Sequence, residues 1–107
     1  MAKPRTVVEL EFSWHRDWEK RTRPARKKLT RQASAYLDQF VIKKTNQATL
    51  KLKNDDYRRA ERELKAAEKE INAELALLPT LSDVAIELRH DRLERDHNSF
   101  IESLVQS

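Results

Sequence analysis

The chain has 107 residues, 38% hydrophobic and 37% charged, with a formal net charge of +4. One domain spanning 1–107 is expected, with a core thin for its length, so the chain either forms long exposed helices or completes its core against a partner or a second copy. Cysteine and glycine are both absent, which excludes disulfides, thiolate chemistry, cysteine-ligated zinc and every phosphate loop built on glycine.

The first element expected is a strand. In 7–14, Val8, Leu10, Phe12 and Trp14 alternate with Glu9, Glu11 and Ser13, the period of a half-buried strand. Residues 15–23 form either a short helix or an extended basic arm. An amphipathic helix follows, with Pro24 in its first turn and Leu29, Ala33, Tyr36, Leu37, Phe40 and Val41 on one stripe. Lys43 and Lys44 suit its C-terminal end and Asn46 its closure. A second strand is read over 47–53, where Ala48, Leu50 and Leu52 alternate with Thr49, Lys51 and Lys53. Pairing the two strands sets Glu9 and Glu11 near Lys51 and Lys53, a favourable cross-strand arrangement.

The next helix has Asn54 as its cap and Asp55 and Asp56 in its first turn. Tyr57, Ala60, Leu64, Ala67 and Ile71 recur at alternating spacings of three and four, and Leu75 and Leu78 continue the seam slightly off register. Pro79 ends it. A last helix begins at Thr80 or Ser82, with Val84, Leu88, Leu93, Phe100, Ile101 and Leu104 toward one side. The short link between these helices predicts an antiparallel hairpin. The fold class is therefore mainly α (α+β), in the order β-α-β-α-α: a two-stranded ribbon with a helix between its strands, then a C-terminal helical hairpin. The seam of Tyr57, Leu64, Ile71, Leu75 and Leu78 packs either within the hairpin or between chains; over 89–97 Leu93 is the sole apolar anchor, a poor partner for it, so a homo-oligomer or a stable protein partner is expected.

Charge is polarised along the chain. Residues 1–53 hold fourteen Lys/Arg against five Asp/Glu, a net of +9. Residues 54–107 hold eight against thirteen, a net of −5, and the halves sum to the +4 of the whole. The basic half centres on Lys20, Arg21, Arg23, Arg26, Lys27, Lys28 and Arg31. On a helix starting near Pro24, Arg23, Lys27 and Arg31 fall four apart on one face. Such a cluster meets the phosphates of DNA or RNA, or docks on an acidic protein surface, including the acidic half of a neighbouring copy. Trp14 and Trp18, four apart, either stack on bases together with His15 and Arg16 or anchor a core or an interface. No defined DNA- or RNA-binding motif is present.

His90, Glu94 and His97 share one helix face at spacings of four and three, the donor types of a zinc site. The flanking Arg89, Arg92 and Arg95 oppose a cation there, so a polar face and no metal are expected. No nucleophile–base arrangement and no glycine-shaped oxyanion turn occurs; a non-enzyme with no cofactor and no small-molecule substrate is expected. No apolar run approaches the roughly 20 residues of a membrane span, and no hydrophobic leader follows Met-Ala-Lys-Pro, which together suggest a cytoplasmic protein. The first reading is a binding protein that contacts nucleic-acid phosphates through the basic segment and self-associates through its hairpin. The alternative is a protein–protein interaction module.

Overall fold

The computed structural model describes residues 6–106. They form four α-helices: α1 (Val7–Lys27), α2 (Arg31–Thr49), α3 (Tyr57–Leu77) and α4 (Asp83–Gln106), with a 3-10 turn at Leu78–Thr80 between the last two. No strand occurs among the described residues. The two-stranded ribbon is therefore corrected to helix.

Both expected strands fail for the same reason: an alternating pattern overlays a helical one. Val7 and Trp18 are buried and Leu10 and Trp14 pack against the core, whereas Val8 and Phe12 are about 70% exposed. Burial thus follows steps of three and four, the period of a helix. The Thr6 side chain accepts from the Glu9 amide and caps α1. Asn54 completes the start of α1: its carbonyl accepts from the Val7 amide at 2.9 Å and its Oδ1 from the Val8 amide at 3.4 Å. It thereby satisfies two of the orphan donors of a first turn. Asn54, expected to cap the following helix, serves α1 instead, and α3 begins after Asp56.

The second expected strand is the last turn of α2 and the link after it. Val41, Thr45 and Ala48 are buried at spacings of four and three. Thr45 and Thr49 each donate a hydroxyl to the carbonyl four residues back, which accommodates β-branched polar residues inside a helix. The helix expected to run on from Pro24 is broken. Pro24 lies near the end of α1, and α2 restarts at Arg31 with the Thr30 hydroxyl accepting from the Ala33 amide. Ser82, one of the two caps anticipated for α4, accepts from the Ala85 amide.

Successive helices run antiparallel. Trp14 and Trp18 of α1 bond Glu68 and Asn72 of α3 in the same order, so α1 and α3 are parallel. Gln32 and Tyr36 of α2 meet Asp83 and His90 of α4, so that pair is parallel too. Helices α2 and α3 form the central pair, with α1 chiefly against α3 and α4 chiefly against α2. The hairpin expected between the last two helices is therefore not the main packing: α4 lies along α2. The molecule is a flat body of 41 × 39 × 17 Å, with a radius of gyration of 14.7 Å against about 13 Å for a compact chain of this length. Its core is Trp18, Ala33, Tyr36, Leu37, Leu64, Ile71 and their neighbours; α4 adds only Ile86 and Leu93. Flatness leaves α1 and α4 with broad outward faces.

Candidate nucleic-acid interface

Helix α1 turns Val7, Trp14 and Trp18 inward. At about 100° per residue the opposite side carries Arg16, Lys20, Arg23 and Lys27, spaced by four, three and four. All four are exposed, and none makes a hydrogen bond or ion pair with a described residue. The row is about 16 Å long at 1.5 Å per residue. Asp17 and Glu19 lie to either side of it. Four unneutralised cations on a rigid helix present a linear positive field to solvent, a surface suited to a line of phosphates.

The seven cations singled out in the sequence do not act as one group. Arg21 is held by Glu68 at 2.9 Å. Arg26 donates to the Thr22 hydroxyl and the Glu19 carbonyl, and its guanidinium lies 5.6 Å from the Trp18 ring centroid. These two arginines brace α1. Lys28 is the C-cap of α1 and Arg31 the first residue of α2, so the anticipated single-helix row of Arg23, Lys27 and Arg31 is interrupted by the link. Arg16 is the member the basic window missed. Its signal was the four-three-four spacing, which becomes visible once 7–27 is read as one helix.

The two tryptophans are packing residues. Trp18 is 3% exposed, and its indole N–H donates to Asn72 Oδ1 at 2.9 Å. The Trp14 N–H donates to Glu68 Oε1 at 2.8 Å, and the two rings stack at 5.9 Å. The Trp18 ring, stacked on Trp14 and covered by the Arg26 guanidinium, offers no platform for a base. The α3 seam is also closed: Leu64, Ile71, Leu75 and Leu78 are buried within the chain, with Tyr57 half-buried above them. Helices α1 and α2 pack against this seam within the chain, where α4 was too polar to do so.

A buried polar link ties the central helices to α4. The Tyr36 hydroxyl donates to Glu74, and Arg89 Nη1 donates to both oxygens of that carboxylate, at 2.9 and 3.1 Å. Burial, reinforced by the adjacent carboxylate, pushes the Tyr36 phenol well above its ordinary range. The link lines an open groove of about 370 Å³ between α2 and α4, together with Phe40, Lys44, Leu88 and Leu93. Glu74 and Arg89 neutralise each other there, so the groove has no net charge from this link to hold an ion.

The histidines are separated in role. His15 meets Trp14 edge-on. His90 Nε2 is 3.4 Å from Glu94. His97 stacks on Phe100 with its Nδ1 buried and unbonded. Burial and the Lys43 charge hold the His97 imidazole below its ordinary pKa. Among the described residues no group of three or more His, Cys, Asp and Glu side chains is placed to hold a metal ion, and no helix is long and apolar enough to cross a membrane. Comparison with protein-family models, with curated proteins and with solved structures returns no match.

Proposed function

We propose that this chain is a small, non-enzymatic binding protein that contacts the phosphates of DNA or RNA through the outer face of α1. The observation that carries the reading is the row Arg16, Lys20, Arg23 and Lys27, exposed and unpaired among the described residues. Cations in a line along one helix face meet the phosphate backbone, a contact that carries no sequence information. A binding role rather than a catalytic one is supported by the dispersal of the three histidines, each engaged by a different neighbour.

Four phosphate contacts set the salt dependence. The logarithm of the binding constant falls against the logarithm of salt with a slope of about −3.6 on duplex and about −2.8 on a single strand. Between 50 and 200 mM salt, affinity therefore drops roughly 150-fold on duplex and roughly 50-fold on a single strand. Fluorescence anisotropy with a labelled oligonucleotide measures this directly. Replacing Arg16, Lys20, Arg23 and Lys27 by Ala brings the slope close to zero, whereas Arg21→Ala, whose guanidinium is already committed to Glu68, leaves it nearly unchanged. No detectable binding at low salt, or equal slopes for the fourfold variant and the parent chain, rejects the proposal.

A further inference from the structure

Helices α1 and α4 each present one exposed face that is half charged and half apolar, and the two faces are complementary. On α1 the face reads Val8 and Phe12, then Arg16, Lys20, Arg23 and Lys27; the apolar pair is 69% and 70% exposed. On α4, Asp83, Glu87, Asp91 and Glu94 recur at four, four and three, followed by Ile101 and Val105 at 37% and 81% exposure. At about 100° per residue the six α1 positions fall within about 120° of the helix circumference and the six α4 positions within about 80°. Asp83, Glu87 and Asp91 make no ion pair with a described residue, and Glu94 is engaged by His90 alone. His90 and Arg95 flank the acidic row, while Arg89 and Arg92 turn toward the groove.

Chain order is opposite on the two faces: α1 runs from apolar to basic, α4 from acidic to apolar. Only an antiparallel apposition matches charge with countercharge and apolar with apolar. In that register Lys27 faces Asp83, Arg23 faces Glu87, Lys20 faces Asp91 and Arg16 faces Glu94, with spacings that never differ by more than one residue. The apolar pairs then meet with an offset of three residues, about 4.5 Å, which side chains span. Within one molecule α1 and α4 are already antiparallel, and they flank the central pair on different helices. Two molecules laid side by side in the same orientation therefore bring α1 of one against α4 of the next in the direction the match requires.

We infer that the occupant of the α1 face is the α4 face of a second copy, in a head-to-tail contact that leaves a free α1 face and a free α4 face at the ends of each pair. Such a heterologous contact does not close on itself as a twofold dimer does and extends to a chain of copies unless a rotation shuts it into a ring. It is weak and salt-sensitive, because exposed ion pairs contribute little each and are screened. The inference does not rest on the nucleic-acid reading, although the shared basic row makes nucleic acid and a second copy mutually exclusive on α1.

The test is sedimentation velocity on the nuclease-treated 107-residue chain, up to roughly 1 mM, at about 0.1 M and about 1 M salt, where the screening length falls from about 10 Å to about 3 Å. The expected result is a weight-average mass that climbs with concentration above the 12.7 kDa of one chain at the lower salt and returns toward it at the higher. Lys20→Glu/Arg23→Glu and Glu87→Lys/Asp91→Lys each abolish the rise alone. An equimolar mixture restores it, since each reversed face then meets a matching one. Oligonucleotide binding separates the two proposals: the α4 variant keeps it and the α1 variant loses it if the phosphate reading holds, whatever the mass data show. A parent chain that stays monomeric at low salt, a variant that assembles as the parent does, or a mixture that stays monomeric overturns the inference.

Discussion

Helix α4 is held by few anchors, and its detachment can be measured apart from unfolding. Of its 24 residues only Ile86 and Leu93 are buried. Burying two such side chains contributes about 3–6 kcal/mol, and the Arg89–Glu74 link adds to it with a guanidinium that is 40% exposed. Leu93→Ala removes one of the two anchors and leaves a cavity against α2, a change that costs about 2–5 kcal/mol. That is most of what holds α4 down. The core of α1, α2 and α3, with Leu37, Leu64 and Ile71 at 2% exposure or less, keeps all its other contacts. Native-state hydrogen exchange followed by NMR is the assay. At about 1.4 kcal/mol per factor of ten, amides of α4 beyond Leu93 should lose protection by roughly thirty-fold to a few thousand-fold, while the slowest amides of α2 and α3 stay within about three-fold of the parent. Leu64→Ala is the control, because a cavity in the central pair lowers the protection of the slowest amides of α1, α2 and α3 together while α4, opening on its own, changes little. If Leu93→Ala lowers the slowest amides of α2 and α3 as far as those of α4, α4 is an integral part of one cooperative unit and the reasoning fails.

Three further outcomes follow from the same contacts. Arg89→Met strands the carboxylate of Glu74, which is 8% exposed, at a cost of about 1–2 kcal/mol by urea denaturation; this is below the 3–5 kcal/mol of a fully buried pair, because solvent reaches the arginine. Adding Glu74→Gln should recover part of the loss, and a double variant worse than the sum of the singles contradicts the pairing. For His97 the folded pKa lies below the unfolded value of about 6.5, so the unfolded chain binds the proton first and the stability of the fold declines as pH drops through and below that value. His97→Leu should flatten that decline, and Lys43→Met should raise the imidazole pKa in an NMR titration without returning it to the ordinary value, since burial is the larger cause; an unchanged titration removes the assigned role of Lys43. In a Trp14→Phe background the fluorescence of Trp18 should not respond to a saturating oligonucleotide, because the indole is closed off by α3; strong quenching would show a base reaching the ring.

The sequence carried the helices better than their boundaries. The α3 seam was legible because five positions from Tyr57 to Ile71 keep one period and Leu75 and Leu78 follow one step off it, and all but Tyr57 are buried. The α2 stripe was legible for the same reason. Residues 7–14 were not, because a helix whose exposed face carries Val8 and Phe12 beside inward-facing Val7, Leu10 and Trp14 produces an accidental alternation. Only the continuation to Trp18 separates the two periods. Asn54 misled in another way: its composition signal was that of a cap, but the first turn it caps belongs to a helix forty-six residues earlier. Local rules recognise capping residues without saying which helix end will fold onto them.

The candidate site was legible as charge and illegible as a surface. A count of cations along 20–31 cannot separate Arg21, neutralised by Glu68, and Arg26, laid over Trp18, from Lys20, Arg23 and Lys27, which face solvent. That division depends on which side of α1 meets α3, and it follows from the tryptophans: once Trp14 and Trp18 are fixed on the inner face, the 3.6-residue period assigns every cation. The same logic turns the polarity of the chain into a spatial fact. On the central helices some charges are paired between helices, Lys44 with Glu70 and Glu74 with Arg89. Helices α1 and α4 each pack mainly on one side. An unpaired basic row then lies on α1 and an acidic one on α4, so the imbalance written along the sequence becomes an attraction directed outward, across the gap between neighbouring molecules.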